Sequence, residues 1–79
     1  MSAPTTLDRL PLHEAARIVE VRGHGEMRLR LLEMGFVRGT EVAVLKRAPL
    51  GDPLELRVRG YHVSLRARDA ALVVAEGIA

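Results

Sequence analysis

The sequence predicts a mainly β domain, a small barrel of about five short strands with one α-helix inserted after the first. Three observations carry this reading. Runs rich in β-branched residues recur between clusters of turn residues. The stretch Leu54 to Arg59 alternates apolar and charged residues strictly, as a strand with one buried face does. Only residues 26–34 show convincing helical spacing. At 79 residues the chain has room for one domain, and a fold of this size removes only about 60% of the unfolded surface from water. All elements must therefore share one core.

Taken in order, residues 1–6 form a small, polar N-terminal segment expected to be flexible, and the barrel is expected over 7–76, with 77–79 as a tail. Leu7, Leu10 and Leu12 make a short apolar lead-in. Ala16 to Val21, with Ile18, Val19 and Val21, reads as a strand ended by Gly23-His24-Gly25. In the helix, Met27, Leu31 and Met34 fall at i, i+4 and i+7, Leu32 widens the apolar face, and Gly35 supplies a left-handed stop. Arg28 near its start and Glu33 near its end oppose the helix dipole, local misfits of the kind functional sites tolerate.

Arg38-Gly39-Thr40 is turn chemistry, and Glu41 to Lys46 follows as a strand. Ala48 to Pro53 is a stiff connection with two prolines and Leu50 at its tip. A two-residue turn at Gly60-Tyr61 is expected to pair Val58 with Val63, Leu56 with Leu65 and Glu55 with Arg66. A helical turn at Ala67 to Ala70 and a buried strand at Leu72 to Ala75 complete the domain.

The composition, 48% hydrophobic and 28% charged, is that of a globular domain rather than a disordered tail. No run approaches the roughly 18 apolar residues of a membrane helix, and the first residues lack the apolar core of a signal peptide, so a cytoplasmic location is expected. With no cysteine, neither disulfides nor a thiolate zinc site can hold the fold. Eleven of the twelve basic residues are arginine, which suits planar contacts with carboxylates and phosphates; high-GC coding accounts for the same bias. Ten acids nearly balance them, for a net charge of +2.

Catalytic chemistry finds little footing. Ser64 lies on a strand rather than at a sharp nucleophile elbow, and no pair of carboxylates is set up for acid/base work, so no catalytic residue is expected. Gly23-x-Gly25-x-x-Arg28 lacks the third glycine and the βαβ unit of a dinucleotide fingerprint. His13, His24 and His62, with Glu14, Glu26 and Asp52, include no pair spaced to ligate from one helix face. No resident metal or cofactor is expected, only an adventitious divalent ion bridging two molecules. The arginines at 57, 59, 66 and 68 suggest RNA as an alternative ligand, but Phe36 and Tyr61 are the only aromatics, too few for base stacking or a proline-peptide groove. A nucleic-acid partner is not expected.

The string Arg30-Leu-Leu-Glu-Met-Gly35, then Gly39-Thr40, Val44-Leu45, Ala48-Pro-Leu-Gly-Asp-Pro53, Arg57-Val-Arg-Gly-Tyr61 and Ser64-Leu-Arg66 together resemble the FeoA family of bacterial ferrous-iron uptake. The resemblance runs from Leu7 to Val74. It implies an SH3-like barrel and a cytoplasmic accessory role that binds and modulates the membrane GTPase transporter FeoB, touching the membrane only through that partner. A weak homo-oligomer is compatible with this reading, and the sequence does not set the oligomeric state. A related module of iron-dependent repressors is the alternative of the same fold. Two positions depart from the family, which usually has glycine near His13 and proline where Arg38 stands. On this pattern the partner-binding surface is expected at Leu50, Gly51, Asp52 and Pro53, with Arg30 and Glu33 on the helix and Arg57 and Tyr61 near the hairpin.

Overall fold

In the computed structural model, which describes residues 3–78, the chain forms one antiparallel sheet of six strands with two helices and a 3-10 turn. Met1, Ser2 and Ala79, assigned by sequence to the N-terminal segment and the tail, lie outside the described residues. The strands are β1 (Thr5–Thr6), β2 (Ala16–Val21), β3 (Glu41–Arg47), β4 (Leu54–Val58), β5 (Tyr61–Leu65) and β6 (Val73–Gly77). They lie in the order β1-β6-β2-β3-β4-β5. Helix α1 (Gly25–Glu33) follows β2, and α2 (Ala67–Ala70) links β5 to β6. The mainly β class, the single inserted helix and four of the strands stand where the sequence places them. β1 carries no sequence pattern of its own and is defined by its pairing, Thr5 with Ala75 and Thr6 with Val74.

One residue of excess in each of two strands bends the sheet. In β2 the partners step from Ile18/Ala75 to Glu20/Val74, leaving Val19 unopposed; in β3 they step from Val44/Leu56 to Lys46/Glu55, leaving Leu45 unopposed. Such bulges kink a strand and shift the facing of the residues beyond them. Ala16 and Ile18 therefore point inward before the first bulge and Val21 after it. In β3, Val42 and Val44 face the core, and beyond Leu45 the inward-facing position falls to Arg47. Its guanidinium donates to the carbonyls of Leu10 (2.7 Å) and Asp8 (3.2 Å), fastening the lead-in across the end of the barrel. Leu7 and Leu10 are thereby buried, while Leu12 remains 44% exposed.

Inside, Leu54, Leu56 and Val58 of β4 meet Ile18, Val42, Val44, Val73, Leu31 and Phe36. Helix α1 contributes Leu31 fully and Met27 and Leu32 partly, whereas Met34 and Leu29 stay exposed. Its end is a Schellman closure: Phe36 N–H donates to Leu31 O and Gly35 N–H to Leu32 O, both at 3.0 Å, and Gly35 takes φ +106°. The apolar contact typical of that motif joins Leu31 and Phe36 within the core. Arg28 does not idle against the dipole; its Nε donates to Val21 O at 3.2 Å and ties the helix to β2.

The hairpin register differs from the sequence expectation. The turn is Arg59-Gly60, both at positive φ (52° and 82°), and the pairs are Val58/Tyr61, Arg57/His62, Leu56/Val63, Glu55/Ser64 and Leu54/Leu65. Two positive φ values define a type I′ turn, whose twist suits a hairpin and whose second position favours glycine. The shift is by two residues, so every side chain keeps its face, which is why the apolar pattern alone did not reveal it. Arg66 leaves the strand, and the expected Glu55/Arg66 pair does not form.

The two departures from the family pattern acquire a physical meaning. His13 sits at φ +66°, with its N–H donating to Val44 O at 2.7 Å, a conformation glycine adopts without strain. Arg38 is the second residue of a turn closed by Thr40 N–H to Val37 O at 3.1 Å, a position that favours proline. Its N–H makes no backbone hydrogen bond that proline would remove. Arg38→Pro should stabilise the domain by about 0.4–1 kcal/mol, raising Tm by a few degrees, and His13→Gly, whose relief of the left-handed strain is partly offset by a freer unfolded chain, should raise it by less. Their effects should add, as measured by thermal unfolding of the single and double variants; a drop in Tm for either refutes its assignment. Phe36→Ala, emptying a fully buried site, should cost about 3–5 kcal/mol in urea unfolding.

Candidate docking surface

Three of the expected contact regions lie on different parts of the molecule. The Ala48–Pro53 loop is closed internally by Gly51 N–H to Ala48 O (2.7 Å) and Ala48 N–H to Pro53 O (3.1 Å). Its base is pinned from outside. Asp52 Oδ1 accepts from the Ala67 N–H at 2.7 Å, and Oδ2 lies 3.6 Å from Arg66. The carboxylate thus takes the place of a local cap at the start of α2, whose own preceding residue offers no side-chain cap. At the tip, Leu50 is 97% exposed, the most solvent-accessible large apolar side chain described. Of the four loop residues predicted to contact a partner, Leu50 is presented, Asp52 is engaged in holding the loop, and Gly51 and Pro53 shape it.

Arg30 lies on the exposed side of α1 and lines a groove of about 150 Å³ between the helix, β5 and the start of α2. Met27, Leu31, Met34 and Leu65 supply its apolar lining, and Ser64, Arg66 and Asp69 its polar edge. Glu33, the last residue of the helix, is exposed and does not line this groove. Arg57 is carried on the opposite face of the β4–β5 ribbon from Leu56 and Val58, across from His62. Tyr61, at the turn, is 70% exposed. Beside it the Arg59 side chain crosses Gly35, where a Cβ would meet Arg59 Cδ at 3.1 Å. The hairpin tip therefore touches the end of α1, a cationic chain placed where helix carbonyls end.

Sequence reasoning missed the groove and a second cleft. The groove needs the helix and β5 side by side, a relation between residues more than thirty positions apart. A wide cleft of about 430 Å³ between the lead-in and the β6 end includes Thr5, Asp8, Arg9 and Arg22. Asp8 Oδ1 is buried there without a hydrogen-bond partner. Among the described residues, no three His, Asp or Glu side chains gather as a metal site. No helix described is long and apolar enough to cross a membrane.

A bent six-stranded sheet of this size, carrying one long and one short helix and presenting a stiff apolar loop, defines the class of small SH3-like barrels. The FeoA domain family matches residues 5–77, and the chain belongs to that family. It is 47% identical over 70 residues to an Fe(2+) transport protein A/Fe(2+) transporter FeoB fusion protein of Porphyromonas gingivalis; the match covers 89% of this chain but 8% of that relative. The fold superposes on the FeoA-like protein of Clostridium acetobutylicum with a TM-score of 0.88 at 32% identity, covering 100% of this chain and 92% of the other. Against zinc-complexed FeoA of Stenotrophomonas maltophilia, an SH3 domain protein, the TM-score is 0.80 at 36% identity, covering 91% and 89%. A manganese-dependent transcriptional repressor matches in fold alone, with a TM-score of 0.87 at 11% identity over 99% of this chain and 44% of the repressor.

Asp52→Ala should release the loop from α2 and cost about 1 kcal/mol, the usual magnitude for a lost cap. Hydrogen exchange of the Ala67 amide should accelerate with it. Asp52→Asn, which keeps an acceptor, should lose less of both. Unchanged exchange at Ala67 in the alanine variant would show that the carboxylate does not hold the loop.

Proposed function

We propose that this domain is a cytoplasmic accessory of ferrous iron uptake that binds the cytoplasmic part of a FeoB-type transporter and modulates it. The observation that carries this reading is the relative in which an FeoA-like stretch and FeoB share one polypeptide. Covalent joining keeps two parts at high effective concentration, an arrangement that favours parts which act together. The surface is chemically suited to docking. Leu50 is an apolar anchor on a loop already fixed by two prolines, two internal hydrogen bonds and the Asp52 contact. An anchor fixed in advance loses little conformational freedom on binding.

In this reading Leu50 enters an apolar pocket of the transporter, while Arg30 and Glu33 on α1 and Arg57 and Tyr61 of the hairpin supply polar and aromatic contacts at other points of the interface. The chain's part is recognition, with Fe(II) as the transporter's cargo rather than its own ligand. Titration of the purified domain with the cytoplasmic part of the cognate transporter tests this. Leu50→Glu should weaken binding at least tenfold, about 1.4 kcal/mol, while the circular dichroism and Tm of the domain stay unchanged. Unaltered affinity would remove the loop from the interface. Failure of the unmodified domain to bind, together with normal Fe(II) uptake in cells lacking its gene, would refute the functional reading.

A further inference from the structure

The β4–β5 ribbon ends the sheet, and its outer strand is open. In a two-residue hairpin the closing pair, Val58/Tyr61, is hydrogen-bonded, and such pairs alternate along an antiparallel ladder. Tyr61, Val63 and Leu65 therefore turn their backbone groups toward β4. His62 and Ser64 turn theirs away from it, and among the described residues no other strand, turn or side chain supplies them a partner. Both residues are exposed. An edge of this kind is usually blunted by a bulge, a proline or a lysine. Residues 61–65 carry none of these, and the β4–β5 register runs without interruption.

The groove beside α1 adjoins the far end of the same edge, where Ser64, Leu65 and Arg66 form one wall and Met27, Arg30 and Met34 the other. A strand added to β5 would form main-chain bonds with residues 62 and 64 and direct alternate side chains over Met27 and Met34. Charge decides what that strand should carry. Residues 56–66 hold Arg57, Arg59 and Arg66 with no carboxylate, Glu55 lying just before them and opposite Ser64, and Arg30 adds a further cation across the groove, against Asp69 in its wall. A second copy is a poor occupant, because antiparallel pairing of two β5 edges would set one copy's Arg66 against the other's basic turn, and opposed like charges destabilise a pair.

We propose that the free edge of β5 and the adjoining groove bind an extended segment of a partner protein, apolar at alternate positions and acidic between them, as an added strand. This rests on the reading of the domain as a docking module and names the chemistry of what docks. It does not involve the Leu50 contact.

A display library of random ten-residue peptides, selected against the folded domain at low salt, tests it without the transporter, so its failure leaves the Leu50 reading standing. The enriched peptides should alternate apolar and acidic residues, and adding one of them should slow hydrogen exchange of the His62 and Ser64 amides at least tenfold. Affinity should fall with added salt and at least tenfold in Arg30→Glu. Ser64→Pro removes only an outward-facing N–H, a site at which an edge strand admits proline, and should abolish binding while leaving the far-ultraviolet circular dichroism unchanged. If that variant does not fold, the exchange pattern and Arg30→Glu decide. No enrichment, enriched peptides that leave the two amides unprotected, or amides already protected in a self-associated domain would each overturn the proposal.

Discussion

The architecture depends on bending one sheet far enough to enclose its own apolar face. A chain this short has no second layer to cover that face, and its helix buries only Leu31 fully. The bend is supplied by the unopposed residues Val19 and Leu45. Each changes which neighbours point inward, so Val21 rather than Glu20 reaches the core and Arg47 faces the barrel end. Arg47 then holds the carbonyls of Asp8 and Leu10, and with them Leu7 and Leu10 close the barrel. Without the β3 bulge, Lys46 would take the inward position and Arg47 would face solvent.

Concentrating curvature in β2 and β3 has a complementary effect on β4 and β5. Their ladder is uninterrupted, its turn is two residues long, and its outer strand stays regular up to Leu65. The regular half of the sheet also adjoins three surface features: the Leu50 loop leads into β4, the groove borders β5, and Arg59 reaches Gly35 at the end of α1. The bulged strands thus supply the curvature, while the uninterrupted β4–β5 ladder buries Leu54, Leu56 and Val58 on one face and leaves Glu55, Arg57, His62 and Ser64 exposed on the other.

Much of this was legible in the sequence because it rests on local patterns. The alternation from Leu54 to Val58, the β-branched run at 16–21, Gly35 after the helical spacing and the helical turn at Ala67 each depend on neighbours within a few residues. What was not legible depends on distant partners. Thr5 and Thr6 form a strand only because Val74 and Ala75 lie beside them. The bulges leave a β-branched run looking like any other strand, and a two-residue register slip preserves both faces of the hairpin. In the site, the exposed Leu50 could be read from its flanking prolines, whereas the tie between Asp52 and Ala67 spans fifteen residues and had no sequence signal. The β5 edge and its groove appear only once strand order is known.

The pairing of Thr5 with Ala75 places the first and last strands side by side at one margin of the ladder, with β5 at the other. Both ends of the barrel thus leave from neighbouring points, a geometry under which a compact unit can be spliced into or joined onto a longer polypeptide without rearranging its strands. A tether attached at either end would exit beside β1 and β6, four or five ladder positions from the open strand.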